Sequence, residues 1–132
     1  MAAAKQIDQV TLHEIEGLDF TTTRVFAAYQ RGINLGWLTI DDVTNTIELV
    51  YVPDFLRGEG IATVLLDFAR ETTGLSLDQD TGERTLEGSR WARARGIKIA
   101  PGRKYRRLAK REIARQIGVL SMALAYPPTE ET

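Results

Sequence analysis

Two glycines one residue apart, Gly58 and Gly60, stand where an apolar, β-branched run gives way to apolar residues at helical spacing. The stretch reads Val52-Pro53-Asp54-Phe55-Leu56-Arg57-Gly58-Glu59-Gly60-Ile61-Ala62-Thr63-Val64-Leu65-Leu66. A helix starting near Ile61 presents unpaired backbone N–H groups and about half a unit of positive charge at its N-terminus. Anions bind at such an end. Gly58, Gly60 and Ala62 leave the main chain bare enough for a phosphate to reach those N–H groups. Arg57 adds a charged donor at the mouth. On the glycines alone, a structural strand-to-helix turn is the default reading.

The elements that must position this loop can be followed along the chain. Val10 to Glu16 alternates apolar and polar residues as a strand does. Gly17-Leu18-Asp19 is a turn signal, and Thr21 to Gln30 is rich in β-branched and aromatic residues. Arg31-Gly32 turns the chain into a strand from Ile33 to Ile40, and Asp41 to Asn45 turns it again into Thr46 to Val52. Short turns between such strands give an antiparallel meander. Ile61, Val64, Leu65, Phe68 and Ala69 then fall on one helical face, which Thr72-Thr73-Gly74 ends. Leu75 to Leu77 is a candidate fifth strand and Asp78 to Arg84 a polar loop. Thr85 is the expected N-cap of a helix to about Arg95, with Glu87 in its first turn and Gly96 at its end. Past Pro101-Gly102, a last helix is expected from Arg103 to about Ala125. Ala109, Ile113, Ile117, Leu120 and Leu124 would form one face and Arg103, Arg107, Lys110, Arg111 and Arg115 the other.

The loop in this setting resembles motif A of the GNAT acetyltransferase superfamily, whose signature is Arg/Gln-x-x-Gly-x-Gly/Ala. Here it reads Arg57-Gly58-Glu59-Gly60-Ile61-Ala62. The Val-Pro before Arg57, the Leu-Leu pair after it and the meander leading in are similar to the family as well, over about residues 7 to 97. The resemblance implies an α/β (α+β) fold with a mixed, mostly antiparallel sheet and packed helices; the C-terminal basic amphipathic helix departs from the family and stands where its last two strands would run. Residues 1–97 would form the acyl-CoA-binding core and 98–132 a helical extension packed on the same domain. Acetyl-CoA would be the co-substrate. Main-chain N–H groups of Gly58, Glu59, Gly60, Ile61, Ala62 and Thr63, with Arg57, would hold its pyrophosphate. The main chain of Val50, Tyr51 and Val52 would pair with the pantetheine arm. The activity implied is N-acyl transfer by direct attack of an amine on the thioester.

Such a transfer needs a base for the ammonium proton and a way to release the thiolate. Glu48 lies where some family members place the base, alternating with Ile47 and Leu49. A solvent-facing strand glutamate is the plainer reading. Many members carry Leu-Tyr-x-x-x-Gly-Phe, whose tyrosine protonates the thiolate. The nearest match is Trp91-Ala92-Arg93-Ala94-Arg95-Gly96-Ile97, with Ala92 at the tyrosine position, so Tyr105 or Tyr126 would have to fold back. Only about five residues, Gly17 to Thr21, occupy the place of the family's acceptor-lining helices. An open acceptor side, or one completed by another chain, is therefore expected. His13 reads as polar filler, Tyr51 and Trp37 as sheet packing and Trp91 as a helix core anchor. These departures keep a second reading open: a catalytically inactive GNAT-like binding protein acting through its basic helix on a protein or nucleic acid.

Charge sharpens that alternative. Residues 1–89 hold 6 basic and 15 acidic side chains, whereas residues 90–115 hold 11 basic and 1 acidic, within a net charge of −1. Such asymmetry fits an anionic ligand or partner, or a solvated face paired with the acidic half. Nucleic acid would suit Arg103-Lys104-Tyr105-Arg106-Arg107, though Tyr105 alone offers little base stacking. A homodimer or protein partner is the other possibility. The 132 residues fit one domain. With no cysteine and one histidine, neither disulfides nor a zinc–cysteine site can form, and no metal is expected. No apolar run is long enough to span a bilayer and no signal peptide is visible, so a cytoplasmic location is expected.

Overall fold

In the computed structural model the described residues are 3–16, 22–53 and 60–128, with Lys110, Ile113, Gln116 and Val119 described by their backbone only. The fold is α+β: a mostly antiparallel sheet with three helices. The alternating segments form the meander. Strands β1 (Ala4–Ile7), β2 (Val10–Ile15), β3 (Thr23–Gln30), β4 (Ile33–Asp41) and β5 (Thr46–Tyr51) pair consecutively and antiparallel. Helix α1 (Ile61–Thr73) then crosses over, and β6 (Gln79–Asp80) joins β5 in parallel. A second crossover, through β7 (Glu83–Arg84) and helix α2 (Leu86–Ala94), brings β8 (Lys98–Ile99) parallel to β6. The sheet order is β1-β2-β3-β4-β5-β6-β8. Finally β9 (Arg106–Arg107) pairs in parallel with β7, and helix α3 (Lys110–Ala123) follows.

Alternation along β3 builds two cores. Phe26 and Ala28 face one side, with Leu38, Ile40, Leu65, Leu66 and Phe68 beneath α1. Val25, Ala27 and Tyr29 face the other, with Trp37 and Leu124, and α3 lays Ile117 and Leu120 over them. Removing this apolar surface from water at roughly 25 cal/mol per Å² drives the assembly. The expected apolar face of the last helix is thus used at Ile117, Leu120 and Leu124. The Tyr29 hydroxyl donates to the Leu124 carbonyl over 2.9 Å and fastens the end of α3 to the sheet.

The structure adds one element and corrects three expectations. First, Ala4–Ile7 is an edge strand, exposed at three of four positions and so without an apolar alternation to betray it. Second, Leu75 to Leu77 is not a strand. Leu77 takes a left-handed conformation, φ 46°, and is fully buried. Side chains satisfy its main chain: its N–H donates to Asn45 Oδ1 at 2.8 Å, and Arg70 donates to the Ser76 and Leu77 carbonyls. Third, the polar stretch 78 to 84 contains two short strands. Fourth, the last helix begins at Lys110, not Arg103. The run Arg103 to Arg107 is exposed and not helical: Arg103 closes a turn, its N–H donating to the Ala100 carbonyl, and Arg106–Arg107 form β9. A helix would stack its like charges at i,i+4, which is unfavourable. Extended, the chain lets Arg106 reach Glu83 at 3.4 Å and Glu112 at 2.7 Å. Glu112 also accepts from the Ala109 N–H, half of a capping box that fixes where α3 starts. Through β8 and β9, the stretch after residue 97 is paired into both sheets.

Candidate functional site

A strand offers backbone donors and acceptors on both edges, and a neighbour normally satisfies them. On its β4 side, β5 is paired from Thr46 to Tyr51. Towards β6 the register contains one pair, Ile47 with Asp80. Past that point the strands separate and a cleft of about 370 Å³ opens between β5 and the β7–α2 segment. Val50, Tyr51, Val52, Gly60, Ile61, Ala62 and Thr63 all line it, as does Glu48. Seven of the ten residues expected to bind coenzyme are therefore gathered at one cleft. The other three, Arg57, Gly58 and Glu59, lie outside the described residues.

A bulge helps open the cleft. Thr39 pairs with Leu49 and Ile40 with Ile47, which leaves Glu48 as the extra residue of β5. A bulge bends the strand and raises its twist. It also breaks the expected alternation. Ile47 packs in the α1 core and Leu49 in the α3 core, so Glu48 does not sit between two residues of one face. The Glu48 carboxylate lines the cleft half-buried and accepts from the Thr23 hydroxyl at 2.7 Å. Behind β5, Gly36 lets the chains close up. Its φ is 149°, and a Cβ there would lie 2.7 Å from the Tyr51 carbonyl oxygen.

At one end of the cleft α1 begins. Gly60 is its N-cap in the left-handed conformation, φ 78°, and no side chain caps the helix among the described residues. There is no acidic residue in the first turn. The end keeps its positive potential and its free N–H groups. Thr85 caps α2 as expected, its hydroxyl accepting from the Gly88 N–H at 2.9 Å. Trp91 and Arg95 of the α2 end meet Thr63: Trp91 Nε1 donates to Thr63 Oγ1 at 3.2 Å, and Arg95 donates through Nε and Nη2 at 3.0 and 2.6 Å. Trp91 is therefore both a core contact and a cleft wall.

The floor holds a buried ion pair that the sequence reading missed. Arg84 Nε lies 2.7 Å from Asp80 Oδ2, its Nη2 donates to Asp80 Oδ1 and the Ile97 carbonyl, and Asp80 accepts from the Gly82 N–H. The pair ties β6, β7 and the entry to β8 together. Its i,i+4 spacing was the available signal, obscured because the stretch reads as a loop. Leu108 and Ile117 also line the cleft, and nothing local in the sequence points to them.

Tyr105 stands elsewhere. It is 46% exposed, precedes β9 and is not part of the cleft wall. Ala92 is buried in the α1 core. His13 is buried edge-on to Tyr29, with ring centroids 5.8 Å apart, and is not part of the cleft. Trp37 is fully buried and stacks near Tyr51 as sheet packing. Among the described residues no group of three His, Asp or Glu side chains is placed to hold a metal, and no helix is long and apolar enough to cross a membrane. Comparison with protein-family models, with curated proteins and with solved structures finds no match to this chain.

Proposed function

We propose that the cleft binds an acyl-CoA and that the protein is a GNAT-type N-acyltransferase. One observation carries this reading: among the described residues, a strand edge is left unpaired beside a helix start that has no side-chain cap. An open edge suits a ligand with amide groups, which can bond to the main chain of Val50 to Val52 as another strand would. The start of α1 suits a pyrophosphate. Coenzyme A joins a pyrophosphate to a two-amide arm, and its thioester would then lie beside β5. The amine nitrogen would attack the thioester carbon, the C–S bond would break, and the thiolate would leave. Glu48 is a carboxylate of the cleft wall that accepts from the Thr23 hydroxyl, and it would take the ammonium proton. Solvent would protonate the thiolate, since Tyr105 and Ala92 do not serve.

Calorimetric titration with acetyl-CoA tests this. The native protein should bind. Ala62→Trp, which fills the cleft at a helical position, should lower the affinity at least tenfold. Absence of binding to the native protein ends the proposal. Thiol release with a panel of amines then reads catalysis.

A second reading has its own observation. Arg103, Lys104 and Arg107 are exposed and have no ion-pair partner among the described residues. They could hold an acidic protein surface or a nucleic acid backbone in a protein that keeps the scaffold without the reaction. Binding of DNA that falls steeply with salt would favour this reading, and a flat response or no binding would remove nucleic acid as the partner.

A further inference from the structure

The cleft passes through the sheet, because β5 contributes to both of its faces there. Val50 and Val52 pack with the core under α1, whereas Leu49 and Tyr51 pack with the core under α3. A ligand anchored at the start of α1 and lying along β5 therefore meets, at the opposite face, whatever α3 places there. Among the described side chains of the C-terminal segment, Ile117 of α3 and Leu108, just before it, line the cleft. Leu108 is 5% exposed and is fixed by its N–H, which donates to the Arg84 carbonyl at 3.0 Å. Ile117 is half-buried and packs, as Leu49 and Tyr51 do, against the core under α3. The end of the cleft is thus an apolar wall, built by a segment that the β7–β9 ladder and the Arg106 ion pairs to Glu83 and Glu112 hold in place.

We infer that Ile117 and Leu108 are specificity-determining residues for the acyl group, and that the cleft selects short, unbranched apolar acyl chains longer than acetyl. The inference rests on the proposed binding of an acyl-CoA. With the thioester beside β5, an acyl chain runs towards the α3 face and ends against Ile117 and Leu108. Each methylene buried against such a wall strengthens binding about four-fold. Butyryl, two methylenes longer than acetyl, gains about fifteen-fold, and a chain too long to fit gains nothing.

The experiment is calorimetric titration of the full chain with free coenzyme A, acetyl-CoA, butyryl-CoA and hexanoyl-CoA. The variants are Ile117→Trp and Ile117→Ala. The native protein should bind butyryl-CoA about fifteen-fold more tightly than acetyl-CoA. Ile117→Trp should erase that preference and keep the affinity for free coenzyme A. Ile117→Ala should move the preference towards hexanoyl-CoA. If Ile117→Trp loses free coenzyme A as well, Ile117→Ala alone decides. Equal affinities for all four ligands in the native protein, or an unchanged preference in Ile117→Ala, overturns the inference and leaves the coenzyme site standing. Failure of the native protein to bind free coenzyme A or any acyl-CoA overturns both.

Discussion

Arg84→Met removes one half of the ion pair beneath the cleft, and its cost follows from what Asp80 has left. In the native protein, Asp80 takes two bonds from Arg84, at 2.7 and 3.1 Å, and one from the Gly82 N–H at 3.0 Å. Asp80 is 9% exposed and Arg84 7%. Methionine fills much of the arginine stem but supplies no donor, so a buried carboxylate keeps one hydrogen bond. Breaking a buried pair in this way costs about 3–5 kcal/mol, a large part of the 5–15 kcal/mol typical of a whole domain. Urea denaturation reads it directly. With a slope of about 2 kcal/mol/M, the midpoint should fall by roughly 2 M. The double variant Asp80→Asn/Arg84→Met carries no unpaired charge and should be more stable than Arg84→Met alone, which a double-mutant cycle measures as coupling. A loss under about 1 kcal/mol would match a solvated surface pair and refute the reasoning. So would a double variant no more stable than Arg84→Met.

Three further outcomes are expected. Gly36→Ala forces a Cβ to 2.7 Å from the Tyr51 carbonyl in a backbone conformation that L residues rarely adopt; it should cost about 1–3 kcal/mol and weaken acetyl-CoA binding, read by thermal melting and calorimetry. Tyr29→Phe leaves the buried Leu124 carbonyl without the hydroxyl at 2.9 Å, so it should cost about 1–3 kcal/mol and speed amide exchange in the last turn of α3. Glu112 is held below the ordinary carboxyl value of 4.5, first by the Arg106 hydrogen bond and then by the Ala109 N–H. Its contribution is therefore complete above that value and is lost as the pH falls through the lower folded one. The difference in melting temperature between the native protein and Glu112→Gln should vanish at acid pH, and a difference that persists there would contradict the assignment.

Much of the fold is legible in local pattern. The meander follows from alternation in Val10 to Glu16 and Ile33 to Ile40 and from β-branched content in Thr21 to Gln30. The start of α1 at Ile61 follows from the change of period after Gly60, and the start of α2 from Thr85. Those signals depend on neighbours two to four residues away, so a single chain carries them. The cleft residues Val50 to Val52 and Gly60 to Thr63 were legible for the same reason, because they stand at the end of one strand and the start of the next helix.

The tertiary structure decided what depends on distant partners. The bulge at Glu48 exists because the register of β4 shifts between Thr39 and Ile40, which no periodicity in β5 announces. Asp80 and Arg84 form a buried pair because β6, β7 and the chain at Ile97 converge on them. Arg106 and Arg107 form a strand, not a helix, because Glu83, 23 residues before Arg106, offers a strand and a counter-charge. Sequence alone therefore determined the strand and the helix start, while the turn at Gly58 lies outside the described residues. The structure determined that the strand parts from its neighbour there, and that Ile117 and Leu108 stand across the gap, since side chains far apart along the chain meet only when both faces of the sheet are covered.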